Sequence, residues 1–492
     1  FFFAMPTVHL LPVEEAAAPH FQAYLEALEG KDQDRDVLLQ HHLRFLQQHP
    51  FIKEKEPATL THGNHTVTVT GFGLNIHRFR KWLKEDGQAF QEVAGGLSDD
   101  GLYTVFASLR MLMPRGLHLV RFEAPGVAPV QRWFRGISKF TGLLPDDEDE
   151  ESGATKSAGE FFYGGRTWEG AVGFWATEKS NGENAKVAAI HFDNTVYLLA
   201  GSKNTCLVWP ADAPAPAERP EAVLPCRIAA VVSQWLLGLA PDRRRSFLDD
   251  CLAHGTLMGE FNAPDSEHMV PIREQRLDMF ALLDVDGVPL HPKATLEFFE
   301  RHGITTDGTL RHVPMEYHSA RDLPGAALAI RQQRNTEGSV LYLVDGSDQV
   351  IGLLKVKSSW YVIRRRIRQT VTSKLWRPLG NGGVKDHCPR NTKARDEQRT
   401  LESAVKSAKA ALSDGMENLK HVPGCKAEWR NWEAFAHGFV DWWLRARLPA
   451  PGGAGEGAEG AGQSLEQVLQ ETERNYASLM EAYCTECHTE CP

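Results

Sequence analysis

Thr177-Glu178-Lys179-Ser180-Asn181-Gly182-Glu183 leads into Val187-Ala188-Ala189-Ile190-His191-Phe192, an apolar-rich run that reads as a strand. A lysine followed three residues later by glycine at a strand edge makes Lys179 a candidate nucleophile. Alone the match is weak, because lysines in glycine-containing turns are common and most are solvated. The residues around it have to decide the reading.

Downstream of Lys179, the second strand of the same hairpin ends in Gly201-Ser202-Lys203-Asn204, which brings in a second cation. Leu257-Met258-Gly259-Glu260-Phe261 sets a carboxylate inside an apolar run, where an unpaired charge is costly to bury and therefore calls for a partner. Glu337-Gly338-Ser339-Val340 places another carboxylate at the entry of a strand. In Leu353-Leu354-Lys355-Val356-Lys357, strand alternation puts Lys355 and Lys357 on one face, two ammonium groups able to meet one triphosphate. Lysine attack on phosphorus needs a neutral amine, and a free lysine titrates near 10.4, so burial or neighbouring charge has to assist.

Length and composition set the frame. A chain of 492 residues exceeds the size at which one hydrophobic core stops growing, so several domains are expected. Hydrophobic residues at 42% and charged residues at 24% are ordinary for a soluble globular protein, and no apolar run approaches the roughly 20 residues needed to cross a bilayer. An intracellular protein, cytoplasmic or nuclear, without signal peptide or membrane contact is expected. Eight scattered cysteines do not form a secreted disulfide framework. The net charge of −10 argues against a uniformly basic surface but not against a local basic groove. The acidic run at 146–151 reads as a solvated loop. The basic run Arg364-Arg365-Arg366-Ile367-Arg368 reads either as an RNA-phosphate contact, with Arg364, Arg365 and Arg368 as the contacts, or as a solvated helix edge.

Along the chain, the spacing of Phe21, Tyr24, Leu25 and Leu28, then Val37, Leu38, Leu43 and Leu46, predicts a helical N-terminal segment over 1–60. Strand patterns follow from His65, with hairpins around Asp193-Asn194 and Asp345-Gly346 and helices at Cys226 to Leu239 and Lys293 to His302. A domain over 61–375 with a helical C-terminal domain over 376–492 is the expected organisation. Trp432, Phe435, Phe439 and Trp443 read as the packed face of a helix, 449–463 as a flexible linker, and 464–483 as a last helix. Cys484, Cys487, His488 and Cys491 have metal-like spacing but sit in one short terminal segment without a paired loop, so a reduced tail is the expected state.

Taken in order, these blocks resemble the RNA ligases of the covalent nucleotidyltransferase superfamily, in the branch with the ligase domain of fungal tRNA-splicing ligase and the bacteriophage tRNA-repair ligases. Met113-Pro114-Arg115-Gly116 and Arg135-Gly136-Ile137-Ser138-Lys139-Phe140 are similar to the family's upstream pyrophosphate-contacting segments. The segment at Lys179 resembles motif I, and Ser202-Lys203-Asn204 motif Ia. Gly259 to Pro271, with its Glu267-His268 pair, resembles the tRNA-ligase form of motif III, Glu337-Gly338 motif IV, and Lys355-Val356-Lys357 motif V. The chain departs from the pattern at Thr141-Gly142 after Lys139-Phe140, and at Asn181, where many relatives carry aspartate.

The resemblance covers about 112–368 and implies an α+β nucleotidyltransferase (adenylyltransferase) fold with two antiparallel β-sheets and flanking helices, plus a helical C-terminal domain. It implies an ATP-dependent RNA ligase with ATP and Mg²⁺ or Mn²⁺ as cofactors. Lys179 would carry AMP. Glu260 and Glu337 would serve the metal and ribose, Lys355 and Lys357 the α-phosphate, and Arg115 and Lys139 the outer phosphates. Glu178, Gly182, Lys203, Phe261 and Gly338 would complete the nucleotide pocket. The implied partner is RNA with 5′-phosphate and 3′-hydroxyl ends, tRNA halves among them, joined by a monomer in tRNA splicing or RNA repair. Neither a Gly-x-x-x-x-Gly-Lys-Ser/Thr loop nor a His-x-Thr/Ser pair occurs, so a ligase module without the splicing enzyme's other activities is expected. A catalytically silent RNA-binding relative and a capping-type guanylyltransferase using GTP are the alternatives.

Overall fold

The computed structural model describes residues 10–29, 34–91, 99–144, 158–266, 268–376, 390–418, 429–447 and 465–489. The acidic run at 146–151, Glu267, the linker expected at 449–463 and Cys491 lie outside the described residues.

The N-terminal part opens with α1 (Ala18–Glu29) and α2 (Arg35–Gln48), the latter capped by Asp34, whose carboxylate accepts from the Asp36 and Val37 amides. Strands begin earlier than the helical pattern over 1–60 suggests: β1 (Ile52–Glu54) and β2 (Ala58–His62) precede β3 (His65–Leu74), α3 (Ile76–Glu85), α4 (Asp99–Val105), α5 (Ala107–Leu112), β4 (His118–Ala124) and β5 (Val127–Phe134). They form a sheet ordered β1-β3-β4-β5, with β2 also paired to β3. Alternation along β3 sends Val67 and Val69 to one face, where they pack with Val120 and Phe122 against Phe192, Tyr197 and Leu199 of the next sheet. The helices cover another core, built on Phe21, Phe45, Phe51, Phe79 and Phe106.

After β6 (Thr141–Gly142) the chain enters β7 (Ala171–Glu178), β8 (Glu183–Phe192), β9 (Thr195–Gly201), β10 (Cys206–Pro210), α6 (Val223–Leu237) and α7 (Pro241–Ala253). Then come β11 (Thr256–Asn262), β12 (Arg276–Leu282), α8 (Pro292–His302), β13 (Leu310–His312), β14 (Met315–Ser319), α9 (Leu323–Arg331), β15 (Gly338–Asp345) and β16 (Val350–Lys357). Two sheets result, ordered β10-β9-β8-β11-β12-β13 and β14-β7-β15-β16-β6. Both hairpins fall where the turn residues place them: β8 pairs with β9, Asp193 taking φ 52°, and β15 pairs with β16.

The class is α+β, but with three sheets in place of two, and neither central sheet is purely antiparallel. The pairs β12–β13 and β16–β6 run parallel. Strands of two and three residues such as β6 and β13 carry too little alternation to be read from sequence. The two central sheets meet through Met258 and Ala281 on one side and Tyr342, Val344 and Leu353 on the other. Each such buried side chain contributes roughly 1.5–3 kcal/mol.

Beyond β16 the chain is helical: α10 (Ser359–Val371), α11 (Arg390–Asn418), α12 (Trp429–Arg447), α13 (Leu465–Arg474) and α14 (Tyr476–Glu486). The last helix expected from the apolar spacing is two, divided at Asn475. Trp432, Phe435, Phe439 and Trp443 are buried, packing with Trp360, Ile363 and Trp376.

Candidate active site

Residues 179–182 are the crossover between the two central sheets, since β7 belongs to one and β8 to the other. The nucleophile candidate thus sits where the sheets part, and each sheet supplies one carboxylate. Glu260 comes from β11, beside β8, and Glu337 immediately precedes β15, beside β7. Lys179 Nζ lies 3.1 Å from Glu337 Oε1 and 3.6 Å from Glu260 Oε1. Its side chain keeps 19% of its surface exposed, so the amine remains reachable.

The crossover is held from both sides. The Lys179 amide donates to Gly338 O at 2.9 Å, and the Gly182 amide to Glu260 Oε2 at 2.8 Å. Behind the loop, buried Asp278 accepts from Ser180 Oγ, Asn262 Nδ2, Arg276 Nε and Arg311 Nε, an anchor that fixes the turn after the nucleophile. Glycine is required on both flanks. A Cβ at Gly182 would collide with Phe261 O, and Gly338 has φ 130° with Val356 O pressed against it.

Asn181 joins three parts of the site. Its Nδ2 donates to Glu337 Oε2 at 2.8 Å, and its Oδ1 accepts from the Met269 and Val270 amides at 2.9 and 3.1 Å. An amide can donate to one side and accept from the other, whereas a carboxylate would set like charges at hydrogen-bond distance from Glu337. Asn181→Asp is therefore expected to cost roughly 2 kcal/mol at pH 8 and much less at pH 5, where the crowded pair can hold a proton. Urea midpoints at the two pH values measure this, and a pH-independent cost would contradict the account.

Burial drives Glu260 up to about 7, with Lys179 opposing the shift and the Glu337 charge adding to it. Because the folded pKa lies above the unfolded one, near 4.5, the folded chain holds the extra proton between these values. Stability is thus lost as pH rises from about 4.5 to about 7. Glu260→Gln is expected to match the parent below pH 4.5 and to exceed it by roughly 3 kcal/mol above pH 7. Thermal or urea unfolding across that range reads the margin, and a flat difference would contradict it.

A cavity of about 700 Å³ opens over these residues, lined by Lys179, Asn181, Gly182, Glu337, Tyr361 and Arg365, with Arg368 and Thr372 further along α10. That is ample for a nucleotide-sized ligand. Ser358 caps α10 by accepting from the Tyr361 amide, and positions 361, 365, 368 and 372 then follow one helical face toward the cavity. Arg364 lies on the flank of that face, beside Trp360 and Ile367. It is 3% exposed, its guanidinium lies 4.3 Å from the Trp360 ring and donates to Ala477 O, so it turns inward and is not placed to touch RNA. The expectation that Arg364 stands with Arg365 and Arg368 as an RNA contact is corrected accordingly. A stretch of identical residues carries no phase of its own; the Trp360, Ile363 and Ile367 spacing supplies it.

The other candidates divide. Lys355 and Lys357 are 4% and 0% exposed, which excludes a solvated strand face, and Lys357 Nζ stands 5.4 Å over the Tyr361 ring. Phe261 is 0% exposed within the core under the second sheet, with Arg227 stacked on its ring, so it is a packing residue and does not line the cavity. Glu178 is exposed at the end of β7. Lys203 pairs with Asp99 at 2.8 Å, and Arg115 and Lys203 line a second cavity that shares no lining residue with the first.

Asp100, which no motif indicated, links the two groups. Its carboxylate takes Arg115 Nη2 at 2.9 Å and Lys139 Nζ at 2.6 Å. Burial would raise it, but the charges of Lys139, Arg115 and Lys355 outweigh burial and hold it well below the usual carboxylate range. Among the described residues no group of three His, Cys, Asp or Glu side chains is arranged to hold a metal ion; Cys484 lies on α14 and Cys487 is its C-cap residue.

Among solved structures the chain is similar to a mutant of the Naegleria gruberi RNA ligase with AMP and Mn, at 17% identity and a TM-score of 0.27. The likeness covers 39% of this chain and 52% of that one, so the chain spans about half the length of the ligase it matches. No family model matches the chain, and no curated protein matches it. No helix among the described residues is long and apolar enough to cross a membrane.

Proposed function

We propose that the chain is an ATP-dependent RNA ligase that works through a lysyl-AMP intermediate on Lys179. The observation that carries the reading is the crossover itself: one reachable lysine at the parting of two sheets, a carboxylate from each sheet within 3.6 Å, and two buried lysines on the neighbouring strand β16. A purely structural ion pair has no need of a 700 Å³ cavity above it.

In the first step the Lys179 amine, once its proton has left, attacks the α-phosphorus of ATP. A P–N bond forms, the bond to the bridging oxygen breaks, and pyrophosphate leaves. Glu337 and Glu260 are the carboxylates in reach of the departing proton. Next, an RNA 5′-phosphate oxygen displaces the lysine to give an adenylylated RNA end. A 3′-hydroxyl then displaces AMP and forms the phosphodiester. Lys355 and Lys357 stabilise charge on the non-bridging oxygens, and Arg115 and Lys139 receive the outer phosphates when these replace Asp100 as their counter-charge. Each displacement is in line, so positioning and charge account for most of the protein's contribution.

Glu260 and Glu337 fit a Mg²⁺ or Mn²⁺ ion that takes its remaining ligands from the nucleotide and water, the usual mode for Mg²⁺, and two carboxylates suffice for it. Such an ion would neutralise charge developing on phosphate oxygens. RNA ends bearing 5′-phosphate and 3′-hydroxyl, tRNA halves included, are the substrates this chemistry joins.

Incubation with α-labelled ATP and a divalent cation is expected to leave label on the denatured chain, in an acid-labile bond. Labelling by GTP alone would move the assignment to capping chemistry, and no label from either nucleotide would leave an RNA-binding relative.

A further inference from the structure

In a chain of net charge −10, positive side chains are concentrated in the second cavity, and the geometry points to a phosphate-binding subsite for RNA there, apart from the Lys179 cavity. The inference rests on the ligase reading and extends it to how the RNA strand is held.

The cavity measures about 460 Å³. Lys53 and Lys55 reach it from β1 and its end, Arg80 from α3, Arg115 from the turn before β4, and Lys203 from the turn after β9. Asp99 is the one carboxylate among its lining residues. These cations come from three chain regions far apart in sequence, so folding gathers them. Lys53, Arg80 and Lys203 are exposed, Lys203 while paired with Asp99 at 2.8 Å. Lys55 is lowered from its ordinary value by burial first and by the Lys53 charge second. Its ammonium donates to Asn204 O at 2.8 Å, which ties β1 to the turn carrying Lys203.

The wall is shaped as well as charged. Gly116, φ 73°, lets the turn beside Arg115 pack closely against Ser202 O and Lys186, and Phe72, Ile76 and Tyr103 add apolar lining. A rim of ammonium and guanidinium groups with apolar lining suits a phosphodiester with its sugar and base. A free inorganic anion would use only the rim. The second cavity shares no residue with the first, yet Arg115 is bonded to Asp100, which in turn holds Lys139 and feels Lys355. Arg115, assigned above to the outer phosphates of ATP, is the boundary between the two sites, and Lys53, Lys55, Arg80 and Lys203 carry the RNA subsite.

The test uses the full chain and a fluorescent 20-nucleotide RNA, made with hydroxyl ends and, separately, with a 5′-phosphate. Binding is read by anisotropy without ATP, so the result does not depend on adduct formation. Lys53→Ala/Arg80→Ala is expected to bind on the order of tenfold more weakly, with the salt slope smaller by about 1.4, as two lost single-strand phosphate contacts require. Lys81→Ala/Lys84→Ala removes the same charge from α3 at positions that do not line the cavity and is expected to bind like the parent. Equal loss for both RNAs assigns a backbone phosphate, and loss confined to the phosphorylated RNA assigns a terminal one. Unchanged affinity, or the same loss in the control pair, overturns the subsite. So does a raised ATP requirement for adduct formation without any change in RNA binding, which would give the cavity to the nucleotide. Absence of adduct in the parent chain would instead overturn the ligase reading.

Discussion

Lys179→Ala is expected to abolish nucleotide labelling of the chain, by at least about 10³-fold, because no other group can take the nucleophile's place in a displacement at phosphorus. Lys179→Arg is expected to fail equally, since a guanidinium stays protonated and has no lone pair to offer. The two substitutions separate nucleophile from ion-pair partner: arginine could still bridge Glu337 and Glu260, which approach the amine at 3.1 and 3.6 Å. Fold and chemistry are distinguished by supplying RNA already adenylylated at its 5′ end. Sealing of that RNA by Lys179→Ala, with no labelling from ATP, would place the lysine in the first step alone. An adduct that survives Lys179→Ala would sink the assignment.

Asp100→Ala should be among the most destabilising single changes in the chain, at about 3–5 kcal/mol, because it takes the counter-charge from Lys139 where little water reaches and leaves Arg115 with only the more distant Asp99 carboxylate of its two acidic neighbours. Lys139 is 8% exposed and Asp100 is 5% exposed, so neither charge is well hydrated. Asp100→Asn keeps an acceptor without the charge and is expected to fall between. The same variant tests the nucleotide site. If the outer phosphates of ATP replace Asp100 as counter-charge for Arg115 and Lys139, ATP will raise the unfolding midpoint of Asp100→Ala by more than it raises the parent's. An equal shift in both proteins would show that the phosphates go elsewhere, and a loss below about 1 kcal/mol would show that the cations do not depend on this carboxylate.

What could be read in the chain and what could not differ by the range of the interaction. The hairpins at Asp193-Asn194 and Asp345-Gly346 are local, and turn chemistry with alternation suffices for them. Glu260 betrays itself because a carboxylate in an apolar run demands a partner, and Lys179 is that partner; Glu337 is marked only by its place at the entry of a strand. Asp100 gave no such sign. It lies in a short helix, after a stretch with no distinctive spacing, and acquires its importance only when Arg115, Lys139 and Lys355 converge on it. Phe261 and Arg364 were misplaced for the opposite reason. Glu260 beside Phe261 reaches Lys179 and Arg365 beside Arg364 lines the cavity, and a single position of phase decides which way a side chain turns. The separation of Arg115 and Lys203 from Lys179 depends on how three sheets stack, which no local pattern encodes.

The inward turn of Arg364 has a consequence for how the molecule can be divided. Its guanidinium donates to Ala477 O while its own carbonyl accepts from Tyr476 Oη, a reciprocal clasp across more than a hundred residues of chain. On the same helix, one turn of the wheel away, Arg365 and Arg368 wall the cavity above Lys179. A fragment ending near Trp376 would keep every residue of the reacting centre and still lose the scaffold behind that wall. It would bring Trp360, Ile363, Ile367 and Trp376 to the surface. The carboxy-terminal helices are thus not an appendage to be trimmed: they are the outer buttress of the cavity over Lys179, and a fragment without them is expected to lose that wall.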